Sequence, residues 1–234
     1  MGYIKLIKHI IFITLILCLF TAFGEDMTLK KNLMINNQIK SRGISNSKVL
    51  KALEEVDRSI FVPAEYQNEA YEDYPLPIGF GQTISQPYIV ALMTELSNPV
   101  ETDIVLEIGT GSGYQAAVIS RCVKEVYTIE IVAGLAKSAE ALLSEKSFNN
   151  VYVKCGDGYK GWPEKAPFDK IIVTAAPVDI PKELIKQLKV GGLMVIPVGE
   201  TYQDLMLIEK TADGINPKSI IPVRFVPMVR GKQE

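Results

Sequence analysis

Residues 105–114 read Val-Leu-Glu-Ile-Gly-Thr-Gly-Ser-Gly-Tyr. An apolar strand ends near an acid, three glycines alternate with small residues, and a helix begins. Glycine has no Cβ, so such a loop turns sharply and lets a ligand reach the backbone, while the helix start offers free N–H groups. Glu107, Gly109, Gly111 and Gly113 are therefore candidate binding residues for a nucleotide-type cofactor. Glu130 closes the next strand about twenty residues on, where a carboxylate can accept from both hydroxyls of a ribose. Gly156-Asp157-Gly158 follows the third strand. There Asp157 can accept from an exocyclic amine, and Gly158 keeps the wall thin. Alone, Glu130 reads as a solvated strand end; three matched strand ends favour the cofactor site.

The loop spacing is GxGxG, whereas dinucleotide loops run GxGxxG and hold a pyrophosphate on the helix N-terminus. An acid two residues before the first glycine suits a cationic ligand better. S-adenosylmethionine, with its ammonium and sulfonium groups, is preferred to a nicotinamide cofactor. A second unusual stretch is Gly79-Phe80-Gly81-Gln82-Thr83-Ile84-Ser85-Gln86-Pro87. On composition alone it is a capping turn, with Ser85 as the cap and Pro87 in the first helical turn.

These residues need a scaffold. Apolar spacing predicts helices over 28–42, over a segment capped by Ser45-Asn46-Ser47, and over 89–96. Residues 66–87, rich in proline and glycine, read mainly as loop. From Asp103 onward strands at 103–108, 125–130, 151–155, 169–174 and 192–198 alternate with helices near 113–121, 133–146 and 181–188. Two more strands are predicted near 203–209 and 219–229. The expected fold is α/β, a Rossmann-like doubly wound parallel sheet with an N-terminal helical extension. Its ligands sit beyond the carboxyl ends of the strands. The expected organisation is a leader at 1–24, a helical extension carrying the 79–87 loop at 25–100, and a Rossmann-like core at 101–234.

The leader is read from Lys5 and Lys8, an apolar run from Ile10 to Phe20, and small residues at Ala22 and Gly24. This is the layout of a signal peptide, with an uncleaved anchor as the alternative. Losing 1–24 removes two lysines and no acid, taking the formal charge from −2 to −4. It also removes His9, the only histidine, which excludes Ser-His-Asp hydrolysis and histidine-bound zinc. No metal is expected, and the acidic balance without a basic run gives no sign of nucleic-acid binding. Cys122 and Cys155 are expected at opposite ends of the sheet and unbonded. Trp162 reads as a packing aromatic, with adenine shielding as the alternative. Tyr114 either packs over a methionine-like part of the cofactor or sits on a plain helix face. Arg224 either offers a guanidinium to a substrate carboxylate or is a solvated edge charge.

Several segments together carry a resemblance: Arg58 with Phe61-Val62-Pro63, Ala70-Tyr71, Pro75 through Gly79, Gly81 through Pro87, and the glycine loop. Gly156-Asp157-Gly158, Phe168-Asp169, Thr174-Ala175-Ala176-Pro177, and Leu188 through Gly192 join them. From about residue 28 to the C-terminus the chain resembles the protein-L-isoaspartate (D-aspartate) O-methyltransferase family. The resemblance implies a class I S-adenosylmethionine-dependent methyltransferase acting on the free carboxylate of L-isoaspartyl residues in damaged proteins, with D-aspartyl residues left open, which initiates their repair. Ser85 matches the family's active-site serine, with Thr83 beside it at the junction of substrate and cofactor. Gln82, Ile84, Glu130, Asp157 and Gly158 fall at cofactor contacts. A carboxylate is ionised at neutral pH, so Ser85 is expected to orient it by a hydrogen bond and not to act as a nucleophile. A monomer is the expected state. The leader departs from the family's cytoplasmic form and points to a periplasmic, exported or tethered protein. Rival readings are a methyltransferase of small molecules and a non-catalytic S-adenosylmethionine-binding protein.

Overall fold

The computed structural model describes residues 26–231; the leader expected at 1–24, with His9 and Cys18, lies outside them. Helix α1 (26–33) runs on through a π-helical turn, Met34–Ile39, and a 3-10 turn, Lys40–Arg42, to Gly43. Helix α2 (Ser47–Glu55) starts where Asn46 Oδ1 accepts from Lys48 N and Val49 N at 3.0 and 3.3 Å, a cap that stabilises by about 1 kcal/mol. Its Val49, Ala52 and Leu53 turn inward.

The segment read as loop is more structured than its composition predicts. It holds a 3-10 turn, Ala64–Glu69, and an antiparallel hairpin of β1 (Leu76–Gly79) and β2 (Gln82–Ile84). Leu76 and Ile84 pair across the hairpin and are both buried, which anchors it to the core. Strands this short show no alternation to read. Helix α3 (Pro87–Leu96) follows with Gln86, not Ser85, at its N-cap and no side-chain cap bond. The capping reading of Ser85 is thereby corrected: proline at the first helical position already removes one orphan donor, and the serine hydroxyl is left for other work.

The main sheet runs in the order β5-β4-β3-β6-β7-β8-β9. Its strands are β3 (Ile104–Ile108), β4 (Glu125–Glu130), β5 (Val151–Cys155), β6 (Phe168–Val173) and β7 (Leu188–Val198), all parallel. Strands β8 (Gln203–Thr211) and β9 (Gly214–Val223) extend it as antiparallel neighbours. Helices α4 (Tyr114–Ser120), α5 (Ala133–Glu145) and α6 (Lys182–Gln187) fill the crossovers.

Both faces are covered, which explains the near-continuous apolar strands. Val105, Val126, Ile172 and Val195 face a core shared with the N-terminal helices, α4 and α5. Leu106, Ile129, Ile171 and Met194 face a second cluster with Leu184 of α6. Cys122 is buried and Cys155 exposed, and both are free. Strand β9 is an outer edge carrying Pro217 and Pro222. The last predicted strand is displaced: pairing ends at Val223, and residues 224–231 leave the sheet to cross its carboxyl end. Among the described residues no helix is long and apolar enough to cross a membrane.

Candidate functional site

The chain winds from β3 through β4 to β5 on one side and places β6 and β7 on the other. The crevice opens where the ends of β3 and β6 diverge. Thr174, just past β6, stitches that point: its Oγ1 donates to Ile108 O at 3.0 Å and to Gly109 O at 2.7 Å. Gly109 has φ 95°, and a Cβ there would collide with the same threonine oxygen. The position demands glycine twice over.

Glu130 closes β4 and is 5% exposed. Its Oε2 accepts from Gly111 N at 2.8 Å and its Oε1 from Val132 N at 2.9 Å. One carboxylate thus fixes the glycine loop and the start of α5, and each oxygen keeps a lone pair for a ligand hydroxyl. The cavity beside it, about 200 Å³, is lined by Gly81, Gln82, Thr83, Gly109, Gly111, Glu130 and Gly158, with Ile108, Ile129 and Ile131 as an apolar slot. A Cβ on Gly158 would run into Ile108 and stand 3.2 Å from Met228 Cε, so glycine keeps the slot open. A flat heterocycle in the slot and a ribose on the carboxylate are what this donor set fits.

Other predicted residues stand apart from that wall. Glu107 is fully buried behind the loop, its Oε2 accepting from Thr128 Oγ1, which is 2.7 Å from Thr110 Oγ1. Burial and, secondarily, the Glu130 charge push its carboxyl up to about 8. A neutral group below the loop is not the cation-facing carboxylate the sequence predicts. Gly113 caps α4 at φ 91° and packs against Leu143. Ile84 belongs to the core. Asp157 accepts from Tyr159 N at 2.9 Å, and its other oxygen lies 3.5 Å from Gly231 N. Tyr114 is buried at 5.6 Å from Phe61 with the Arg58 guanidinium over its ring, which settles it as a core aromatic. Trp162 stands edge-on to Tyr127, away from the cavity.

A larger cavity of about 470 Å³ adjoins the first. Ser85, Gln86, Arg42, Arg224 and Phe225 line it, and Thr83, Thr174 and Val226 belong to both. Sequence reasoning missed Arg42 and Asp73. Asp73 accepts from Arg42 Nη1 at 2.6 Å, from Tyr88 N at 3.4 Å and from Gln86 Nε2 at 3.5 Å, which ties down the turn that presents Ser85. Arg42 also lies flat on the Tyr88 ring at 3.3 Å. Neither residue has a spacing signal, because both act across the fold.

The second roof of the smaller cavity is the C-terminal strap, Val226 to Val229. Ala176 N donates to Val226 O and Met228 N to Ala176 O, both at 2.8 Å. Tyr159 Oη donates to Met228 O at 3.2 Å, and Arg230 stacks on the Tyr159 ring at 3.8 Å.

A family model described as Protein-L-isoaspartate(D-aspartate) O-methyltransferase matches residues 29–233. The chain belongs to this family. A Synechococcus protein-L-isoaspartate O-methyltransferase is 49% identical over 88% of this chain and 88% of its own length. A solved protein-L-isoaspartate O-methyltransferase superposes with a TM-score of 0.78 at 31% identity, covering 84% of this chain and 65% of the other. A Plasmodium falciparum protein provisionally given the same name, solved with S-adenosyl-L-homocysteine, superposes with a TM-score of 0.75 at 26% identity over 86% of this chain and 98% of its own. As a protein-L-isoaspartate O-methyltransferase, the chain takes S-adenosylmethionine as cofactor and isoaspartyl-containing proteins as substrate, the first step of their repair. Among the described residues no cluster of three or more His, Cys, Asp or Glu is placed to hold a metal ion.

Proposed function

We propose that methyl transfer takes place at the wall formed by Thr83, Thr174 and Val226, with cofactor in the smaller cavity and the isoaspartyl side chain in the larger. The observation that carries this reading is that those residues line both cavities. S-adenosylmethionine, when bound, supplies a methyl carbon made electrophilic by the sulfonium. Glu130 would hold the ribose, Gly109, Gly111 and Gln82 would flank the methionine end, and Gly158 with the isoleucine slot would take the adenine. Asp157 would approach the adenine amine from behind Gly158, and Glu107 would support the loop from below.

The acceptor carboxylate is already ionised at neutral pH and needs no general base. The residues have to orient it and exclude water, and alignment alone is worth on the order of 7–11 kcal/mol in favourable systems. Ser85 donates its hydroxyl hydrogen bond to one carboxylate oxygen and aims the other at the shared wall. Thr83 fixes the approach from the cofactor side. Arg224 adds positive charge to the larger cavity, where Arg42 is already paired with Asp73, and suits it to an anionic side chain. Ser85→Ala is expected to lower kcat on an isoaspartyl peptide by about 10²-fold and leave S-adenosyl-L-homocysteine affinity within about threefold. Unchanged turnover in that variant ends the assignment. The matching aspartyl peptide should receive no methyl group.

The chain also acts, in this reading, as a monomer exported or tethered through its leader. Lys5, Lys8 and the apolar run behind them support that destination. N-terminal sequencing of the fractionated protein and its sedimentation mass test the two points; an intact leader on a cytoplasmic chain, or a dimer mass, overturns them.

A further inference from the structure

Phe80 stands at the tip of the β1–β2 hairpin with φ 52°, between Gly79 at 87° and Gly81 at 68°. A left-handed conformation is ordinary for the glycines and an outlier for a ring-bearing residue, which persists only where surrounding contacts hold it. The side chain is 60% exposed. Its far end nevertheless rests on Gly134, in the first turn of α5: a Cβ there would stand 2.5 Å from Phe80 Cζ and 3.1 Å from each Cε. Any other residue at 134 would evict the ring.

The partners on each side give that contact a meaning. Gly134 follows Val132, whose N–H is held by Glu130, so the ring sits on the helix turn tied to the ribose-side carboxylate. On the hairpin, Gly81, Gln82 and Thr83 line the smaller cavity, and Ile78 Cδ1 stands 3.3 Å from where a Cβ of Gly111 would be. The hairpin bridges the glycine loop from Ile78 to Phe80. The Gln82 side chain at the tip turns back on the hairpin, its Nε2 3.5 Å from Phe80 O, and makes no bond to α5 among those of the described residues. The ring is the fastening.

We propose that Phe80 is a positioning residue: seated on Gly134, its ring holds Gln82 and Thr83 over the cofactor cavity, and unseating it is the step by which cofactor enters and demethylated cofactor leaves. This rests on the reading that the cofactor fills that cavity. Ser85 lies beyond buried Ile84 on the turn held by Asp73, so the contact acts on the cofactor side of the shared wall and not on the substrate hydroxyl.

The test uses the full chain and S-adenosyl-L-homocysteine, with stopped-flow dissociation and steady-state kinetics. Phe80→Ala is expected to speed dissociation by about tenfold and raise KM for S-adenosylmethionine with little change in KM for the isoaspartyl peptide. Gly134→Ala, which displaces the ring from the other side, should do the same, and the double variant should be no worse than Phe80→Ala alone. Phe80→Tyr should restore wild-type dissociation. Dissociation within twofold of wild type in both single variants, or effects that simply add, overturns the proposal. Glu130→Ala separates the two layers: lost binding there beside unchanged Phe80 and Gly134 variants removes the latch and keeps the site, whereas unaltered binding in Glu130→Ala removes the site reading itself.

Discussion

Two segments cover the smaller cavity, and they are fastened by opposite means. The C-terminal strap is sewn to the sheet by main-chain bonds at Ala176 and by the Tyr159 hydroxyl, with Arg230 stacked outside. The hairpin is fastened at its tip by one aromatic ring on one bare Cα, with a backbone torsion that resists it. The strap contributes Val226 to the wall the two cavities share; the hairpin contributes Thr83 and runs on to Ser85. Directional bonds to buried main chain keep a segment in place through many turnovers, while a single nonpolar contact releases and re-forms without stranding a polar group. The hairpin tip is thus the part built to move, while Leu76 and Ile84 at its base and the Asp73-held turn at Ser85 stay with the core.

Changes under and within the strap can sharpen this contrast or destroy it. The largest effect lies at Glu107, buried below the glycine loop. In the folded chain the Glu107 carboxyl holds its proton to about pH 8, against an ordinary value of 4.5. Its contribution to stability is complete below about pH 4.5 and falls away as pH rises to about 8, on the order of 4 kcal/mol relative to Glu107→Gln, in which that slope is absent. Chemical denaturation across the window reads this directly; parallel curves for the two proteins would show that Glu107 titrates normally. Next comes Gly158→Ala, whose Cβ pushes on Ile108 and Met228. It should weaken S-adenosyl-L-homocysteine binding by about 2 kcal/mol, measured by calorimetry, without the accelerated exchange expected of a loosened hairpin. Tyr159→Phe removes one strap bond and should cost about 1 kcal/mol of thermal stability, visible as a lower Tm. Arg230→Ala, acting through an exposed ring contact, should cost about 0.5 kcal/mol. If these strap variants speed cofactor release as much as Phe80→Ala does, the division of labour between the two roofs fails.

Much of this arrangement could be read from the chain before folding. The parallel strands announce themselves as apolar runs because both faces are covered, and the cavity-lining Gly109, Glu130 and Gly158 fall at their ends by the rule of such sheets. What escaped was everything set by contacts across the fold. The hairpin has strands too short for periodicity and a turn in which Phe80 takes a conformation its side chain disfavours. Glu107 precedes the loop in sequence, but strand alternation turns its carboxyl into the covered face toward Thr128, away from the ligand. The sequence extends the last strand into the strap, since Phe225 and Val226 are as strand-like as their neighbours; the bridge from Ala176 to Pro227 and the Gln203 amide on the Phe225 main chain take them out of the sheet. Asp73 and Arg42 hold the Ser85 turn from distant points in the chain and leave no local mark.

The prolines of β9 acquire a further significance beside the substrate class. A substrate segment that arrives unfolded carries unpaired main chain, and an open strand edge is a template for it. An enzyme handling such segments all its life is at risk of being drawn into aggregates through its own sheet margin. Pro217 and Pro222 remove two donors from the β9 strand and Lys218 adds a charge, which makes that edge a poor template.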